Sequence, residues 1–209
     1  KKAGGSSYVF TGNAGTEDEL RIVVEPKSGT LSDVRAEYHG KTFYPAFNGG
    51  FCWSDGRRTL PPSSPEVKAE LVGSRLEENK LSLKWAYHFA GRVEPAEWGL
   101  ELKNNTLMVS LSSLNGSVGE VRLGSVSRVK GKVVEVPYLA IRGWRHKSEG
   151  PGIFCGDRVY VSGFFDWYNS DASELFSECS SSSGGSWKFV PSEGDTRWVP
   201  ASGAKAKGG

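Results

Sequence analysis

The most constraining feature of this sequence is a segment at residues 81–89 in which large apolar side chains strictly occupy every second position. Leu81, Leu83, Trp85 and Tyr87 take every second position, and the series ends with Phe89. Successive side chains of a β-strand point to opposite faces, so the pattern predicts a strand with one buried face. A helix would scatter these side chains around its circumference, so the segment is not an amphipathic helix.

Strand-like segments recur along most of the chain and are separated by short turns rich in Gly, Asn and Pro. The predicted strands cover residues 19–25, 31–38, 42–47, 67–76, 81–89, 98–102, 107–111, 118–126, 132–136, 138–141, 153–154, 158–165 and 187–190. The best helical candidate, residues 173–179, spans barely two turns. This spacing predicts an all-β fold, a two-sheet antiparallel β-sandwich with little helix.

A chain of 209 residues suits one buried core. Residues 1–7 and 201–209 consist mainly of Gly, Ala, Lys and Ser, which bury too little apolar surface to offset the entropy of ordering. We therefore expect a flexible N-terminal segment (1–7), a single domain (8–200) and a flexible C-terminal tail (201–209).

The charges are balanced, with 26 basic against 24 acidic residues and a net charge of +2. A nucleic-acid-binding protein usually gathers its basic residues on one face. Here the only basic stretches, residues 128–132 and 142–147, are predicted to be solvated turns, so nucleic acid is not expected as a partner. No apolar stretch approaches the roughly 18 residues of a membrane span.

The three cysteines, Cys52, Cys155 and Cys179, lie far apart and show no zinc-binding spacing. One disulfide with a free thiol and three reduced thiols both remain open. The chain begins at Lys1 without a Met, which fits either a mature exported protein, secreted or periplasmic, or an excised domain. The sequence contains no nucleotide-binding or metal-binding motif, and we expect no cofactor.

Several stretches resemble galactose-mutarotase-like domains. Residues 26–34 and 38–45 are similar to the opening hairpin of that family, residues 79–85 to a middle strand, and residues 100–111 with 114–117 to paired strands that close on an Asn turn. The resemblance implies a supersandwich fold, which also accompanies glycoside hydrolases and polysaccharide lyases. Mutarotases place a His–Pro pair shortly after that turn, whereas residues 124–137 contain no His. The resemblance therefore implies the fold without the epimerase chemistry.

The most function-like segment follows the predicted strand at residues 158–165. Asp166, Trp167 and Tyr168 place a carboxylate beside two aromatic rings. Sugar recognition uses this combination, because a flat ring stacks on the apolar face of a pyranose while carboxylates accept its hydroxyls. The alternative is a surface corner in which the two rings pack inward.

A second loop, bounded by Gly and Pro, holds Trp144, Arg145 and His146. Loops on a rigid β scaffold often carry function. Trp144 could stack on a sugar while Arg145 binds a carboxylate or hydroxyl. We expect this loop and the Asp166–Tyr168 corner to form one carbohydrate-binding face, the alternative being a structural edge loop.

Oxygen donors near the same corner offer an alternative cation site. Asp166, Asn169, Asp171 and Glu174 could gather around Ca²⁺, but their spacing lacks the order of an EF-hand loop. No metal is therefore predicted.

No nucleophile motif or other standard catalytic signature is present. A glycosidase could still pair Glu97 or Glu101 with Asp166.

Three functions remain open. The first is a carbohydrate-binding or ancillary domain of a glycan-processing system, partnered by a carbohydrate and by a catalytic domain or subunit. The second is a small carbohydrate-active enzyme, and the third is a structural module that packs on a catalytic subunit.

Overall fold

The computed structural model describes residues 7–113, 115, 117–135, 141–142, 148–149, 152–163, 174–180 and 184–190. Within these residues the one helical element is a 3-10 turn at Leu31–Asp33. Helix accounts for 2% of the described residues, which confirms the prediction of an all-β protein with little helix. In the described part, no helix is long and apolar enough to cross a membrane.

The strands of the first half follow one another through short turns. In chain order they are β1 (Tyr8–Gly12), β2 (Leu20–Val24), β3 (Val34–Tyr38), β4 (Lys41–Phe47), β5 (Gly50–Ser54), β6 (Thr59–Leu60), β7 (Lys68–Glu77), β8 (Lys80–Phe89), β9 (Arg92–Lys103) and β10 (Thr106–Ser113).

The strands of the second half are mostly shorter. They are β11 (Val118–Ser127), β12 (Gly131–Glu135), β13 (Ile141–Arg142), β14 (Ser148–Glu149), β15 (Gly152–Gly156), β16 (Tyr160–Ser162), β17 (Glu174–Ser180) and β18 (Gly184–Val190).

The described strands form four sheets of nine, four, three and two strands. The nine-stranded sheet runs β1-β2-β3-β4-β11-β18-β17, with β5 also paired to β11 and β6 paired to β5. The four-stranded sheet runs β10-β9-β8-β7, the three-stranded sheet β12-β15-β16, and the last sheet joins β13 to β14. The four sheets are arranged like the blades of a small propeller, although the blades are unequal.

Two predictions about the architecture are wrong. The two-sheet antiparallel sandwich is replaced by this four-sheet arrangement, and the galactose-mutarotase-like supersandwich finds no support. The resemblance rested on hairpins and turns, which are local features that recur in any antiparallel meander. Architecture depends instead on which distant strands pair, and the central strand β11 pairs with β4, β5 and β18.

The helical candidate at residues 173–179 is also wrong. This segment forms β17 (Glu174–Ser180), which pairs antiparallel with β18 along its whole length. Two helical turns alone are too short to be stable in water. Pairing with a neighbouring strand satisfies the same backbone groups.

The predicted one-sided burial of residues 81–89 is confirmed in strand β8. Leu83, Trp85, Tyr87 and Phe89 are all buried, while the intervening Lys84 and His88 are exposed. Strand β9 continues the same inner face, on which Trp98 and Leu100 are buried. The four-stranded sheet therefore has one apolar face and one polar face.

The apolar face of the four-stranded sheet packs against strand β5 of the nine-stranded sheet. The Trp53 ring lies 4.7 Å from that of Tyr87 and 5.2 Å from that of Phe89, centroid to centroid. Phe51 contacts Tyr87 and Trp98 edge-to-face. Trp53 has an exposed fraction of 0% and belongs to the core.

A buried hydrogen bond also joins the two larger sheets. The Tyr87 hydroxyl donates to the carbonyl oxygen of Gly29 at 2.7 Å. Gly29 lies in the turn before the 3-10 element and has a φ of +66°. Asp33 stabilises this turn, because its carboxylate accepts hydrogen bonds from the backbone N–H groups of Lys27, Ser28 and Gly29.

Candidate binding cleft

Strand β11 departs from regular pairing just before the cleft. Its register shifts between Arg122 and Gly124 against β18, and between Ser125 and Ser127 against β4. Gly124 has a φ of +80°, and a Cβ added there would collide with the backbone of Phe47 and Gly49. Only glycine therefore allows β11 and the end of β4 to approach this closely.

The irregular end of β11 and the turn into β12 line a cleft of about 710 Å³ formed by residues 125–131. Val126 is buried and belongs to the core beneath the cleft. Ser125 and Ser127 are half-buried on either side of it, and Arg128 and Lys130 are exposed. The described lining thus combines hydroxyl groups and cations and contains no carboxylate.

An arginine at the turn is held over an aromatic ring. The Arg128 guanidinium carbon lies 4.8 Å from the ring centroid of Tyr44, which is close enough for a cation–π interaction. The contact follows from the strand register, because Ser127 lies opposite Tyr44. Tyr44 also meets the Phe47 ring at 5.8 Å, edge-to-face. The positive φ of Arg128, +67°, turns the chain into β12 at this point.

The charge around the cleft is positive. In the described part, Arg128 makes no ion pair with a carboxylate. The neighbouring turn between β15 and β16 carries Asp157, but Lys41 binds this carboxylate at 2.8 Å. The hydrogen bond and charge of Lys41 hold the pKa of Asp157 below its usual value. Arg128 and Lys130 therefore have no described acidic counterpart beside them.

This arrangement suits an anionic ligand. A guanidinium carries its N–H donors around the rim of its plane, so stacking on Tyr44 leaves several donors directed outward. These donors match the geometry of a carboxylate or sulfate. Ser125 and Ser127 add hydroxyl groups that both donate and accept hydrogen bonds.

A second polar cluster is buried near the start of strand β9. Glu94 is buried, and its Oε1 accepts a hydrogen bond of 2.7 Å from the Ser117 hydroxyl. Its other carboxylate oxygen and the hydroxyl of buried Ser113 have no hydrogen-bond partner within the described residues. This cluster does not line the cleft of residues 125–131, and we assign it no ligand.

The residues predicted to form the binding face cannot be placed beside this cleft. Trp144, Arg145, His146, Asp166, Trp167 and Tyr168 all lie outside the described residues. Strands β13 and β14, on either side of the Trp144 loop, pair with each other. The predicted face therefore stays a prediction.

The alternative cation site also cannot be placed within the described residues. Asp166, Asn169 and Asp171 are outside the described residues, and Glu174 begins strand β17. Within the described part, no three His, Cys, Asp or Glu residues are grouped as metal ligands.

The two glutamates considered for catalysis belong to a different surface. Glu97 is exposed and Glu101 half-buried on the outer face of strand β9. Glu97 accepts a hydrogen bond from the Ser82 hydroxyl on the neighbouring strand. Their intended partner, Asp166, lies outside the described residues, so the pairing is untested.

Sequence reasoning missed the cleft because its parts are far apart in the chain. Residues 128–132 were interpreted as a solvated basic turn, and Tyr44 as part of a short aromatic strand. Only the pairing of β4 with β11 brings Tyr44 and Arg128 together. The one signal available was a basic turn directly after a long strand.

Comparisons with models of known protein families, with curated proteins and with solved structures found no match, so no family is assigned to this chain.

Proposed function

We propose that this protein is a carbohydrate-binding module that takes acidic saccharides at the cleft of residues 125–131, as an ancillary unit of a glycan-processing system. The observation that carries the proposal is Arg128, which stacks on Tyr44 and has no described carboxylate partner. An arginine held in this way is preorganised for a carboxylate or sulfate, because less side-chain freedom is lost on binding.

The remaining groups of the cleft support a saccharide over a simple inorganic anion. A volume of about 710 Å³ exceeds that of a single phosphate or sulfate and lies in the range of small-molecule sites. The hydroxyl groups of Ser125 and Ser127, which line the cleft, can bind sugar hydroxyls.

The described lining favours binding over hydrolysis. Glycoside hydrolysis requires two carboxyl groups on either side of the scissile bond. No carboxylate lines the cleft in the part of the chain that the structure describes, and Glu97 and Glu101 lie on another sheet. A non-catalytic module is therefore the better match to these residues.

The proposal is tested by calorimetric titration with an oligogalacturonate and with a neutral galactose oligosaccharide of equal length. We expect the acidic ligand to bind with a Kd of about 0.1–1 mM and the neutral ligand to bind at least about tenfold more weakly. Arg128→Gln should lower affinity for the acidic ligand about tenfold or more, since a charge-assisted hydrogen bond contributes about 1.5–3 kcal/mol. Added salt should weaken binding.

Two matched variants separate the cleft from general charge effects. Arg92→Gln removes an exposed arginine at the start of β9, which does not line the cleft, and should leave binding unchanged. Tyr44→Phe keeps the ring under Arg128 and should bind as the parent does, whereas Tyr44→Ala should not. Equal binding of both saccharides, or an effect of Arg92→Gln equal to that of Arg128→Gln, would contradict the proposal.

The same ligands can distinguish binding at the cleft from binding at the face predicted from sequence. If Trp144→Ala and Trp167→Ala each reduce affinity about tenfold while Arg128→Gln does not, the saccharide binds at the predicted face and not at the cleft. If only Arg128→Gln reduces affinity, the cleft is the site.

A further inference from the structure

Strand β7 forms an open edge of the four-stranded sheet. It pairs with β8 on one side, and no described strand pairs with its other side. The backbone N–H and C=O groups along that side are therefore available to another strand. Two apolar side chains on β7, Val72 and Leu76, are 67% and 51% exposed. The Tyr8 hydroxyl donates a hydrogen bond to Ser74 Oγ, a contact between side chains that does not involve the β7 backbone.

A β-bulge at Val72 divides this edge into two halves. The register against β8 shifts between Leu71 and Gly73, so Val72 is an extra residue. Lys68 and Glu70, before the bulge, lie opposite His88 and Ala86 of the outer face. Before the bulge even-numbered residues occupy the outer face, and after the bulge odd-numbered residues occupy it. Arg75 and Glu77 belong to this second group, opposite Ser82 and Lys80.

We propose that β7 pairs antiparallel with β7 of a second copy of this chain, about a twofold axis between Val72 and Gly73. In this register Lys68 faces the partner's Glu77, and Glu70 faces the partner's Arg75. Each pair joins opposite charges on the outer face, and each occurs twice by symmetry. On the inner face, Ala69 meets the partner's Leu76.

The bulge makes this register possible. In a continuous strand, residues 68 and 77 would lie on opposite faces and could not meet across an antiparallel pair. With Val72 as an extra residue, both lie on the outer face and both occupy equivalent positions in the pairing with β8. Gly73 lies at the axis, and no atom lies within 4 Å of the position that its Cβ would occupy. The partner's Val72 therefore has room there.

Neighbouring registers are disfavoured by charge. A shift of two residues in one direction places Lys68 opposite the partner's Arg75. The same shift in the other direction places Glu70 opposite the partner's Glu77. Like charges directly opposite each other destabilise a strand pair. The charge pattern of β7 thus selects one self-pairing register.

The test measures association of the full chain by sedimentation equilibrium. The parent should dimerise with a Kd of about 10–100 µM, as expected for a small interface. Glu70→Arg and Arg75→Glu each place two like-charged pairs in the dimer, and each should weaken association at least about tenfold. An equimolar mixture of these two variants restores both opposite-charge pairs and should form a heterodimer with parent-like affinity.

Glu17→Arg is the matched control, because it makes the same charge reversal in the turn between β1 and β2 and should dimerise as the parent does. Circular dichroism of each variant checks that the fold is retained. A parent that stays monomeric up to about 500 µM overturns the proposal. So does a mixture that fails to restore association, or a loss of association in Glu17→Arg as large as in Glu70→Arg.

Discussion

The four-stranded sheet and the nine-stranded sheet differ in how their strands find their neighbours. Strands β7 to β10 pair in chain order through three hairpins, and the registers of β8 with β9 and of β9 with β10 are continuous. Strand β11 pairs with β4, β5 and β18, and its register is interrupted against all three. One sheet is built from local contacts and the other around a strand with distant partners.

This difference separates a structural region from a candidate functional one. Regular alternation in the four-stranded sheet places apolar side chains such as Trp85 and Leu100 on one face, where they complete the core. Irregular pairing at β11 leaves Arg128 and two serines beside a cleft. Bulges of this kind often re-aim side chains near functional sites. Substitutions of buried side chains in the first region should therefore affect mainly stability, whereas substitutions of the side chains that line the cleft should affect mainly binding.

The largest effect is expected in the regular sheet. Trp85 is buried and its ring lies 6.3 Å from Tyr87 and 6.4 Å from Trp98. Trp85→Ala should lower the free energy of unfolding by about 3–5 kcal/mol, because it leaves a cavity in the core. Chemical denaturation measures the change. The exposed neighbour Lys84 provides the control, since Lys84→Ala should change stability by less than about 0.5 kcal/mol. Equal losses of stability in Trp85→Ala and Lys84→Ala would contradict the assignment of Trp85 to the buried face of β8 and Lys84 to the exposed face.

The second test breaks the irregular pairing of β11. Gly124→Ala adds a methyl group near Gly49 N, at 2.6 Å, and Ala46 O, at 2.7 Å. Gly40 has a similar φ, +70°, but its Cβ position meets nothing within 4 Å. Gly40→Ala should therefore lower the free energy of unfolding by only about 1–2 kcal/mol, because alanine is strained in the left-handed backbone conformation. Gly124→Ala should lower the free energy of unfolding by at least about 1–2 kcal/mol more than Gly40→Ala, since the backbone at the end of β4 must move. Equal costs would show that β4 and β11 do not approach closely at Gly124.

The third test concerns the contact between the two sheets. Tyr87→Phe removes the hydrogen bond to the Gly29 carbonyl and leaves that buried acceptor without its donor. The expected loss in the free energy of unfolding is about 1–2 kcal/mol. Tyr38→Phe is a suitable control, because the Tyr38 hydroxyl binds Asp18 at the surface. A Tyr87→Phe variant as stable as the parent would mean that this hydrogen bond does not contribute to joining the sheets.

The same tyrosine predicts a dependence on alkaline pH. Burial raises the pKa of the Tyr87 hydroxyl well above its ordinary value of about 10. Above pH 10 the unfolded chain therefore releases this proton while the folded chain retains it. The contribution of this hydroxyl to the free energy of unfolding is complete below about pH 10. Above that pH the free energy of unfolding falls by up to about 1.4 kcal/mol per pH unit. Tyr87→Phe should lose less stability over this range than the parent, and an identical pH profile would contradict the burial of the hydroxyl.

Much of the regular sheet was predictable from sequence, because alternation and hairpin turns are local signals. Strands β7, β8 and β10 were predicted to within a few residues. The prediction for β9 began at Trp98, whereas the strand begins at Arg92. Pro95 argues against a central strand. Within the described residues β10 ends opposite Ala96, so no described residue of β10 pairs with Pro95.

The architecture and the cleft were not predictable, because both depend on pairing between strands that are distant in sequence. Nothing near Tyr44 indicates that it faces Ser127, and nothing near Gly124 indicates a close approach to β4. Trp53 illustrates the same limit. It is placed in the core by strand pairing with Val118, which is distant in sequence.

The most direct test of the division between a structural sheet and a binding cleft is a residue-resolved titration by ¹H–¹⁵N NMR with an oligogalacturonate. We predict that the backbone signals of residues 125–131 and of strand β4 shift with saturating behaviour, while those of strands β7 to β10 stay unchanged. A neutral galactose oligosaccharide of equal length should cause much smaller shifts. Shifts confined to strands β7 to β10, equal shifts with the neutral ligand, or no shifts at all would contradict the account.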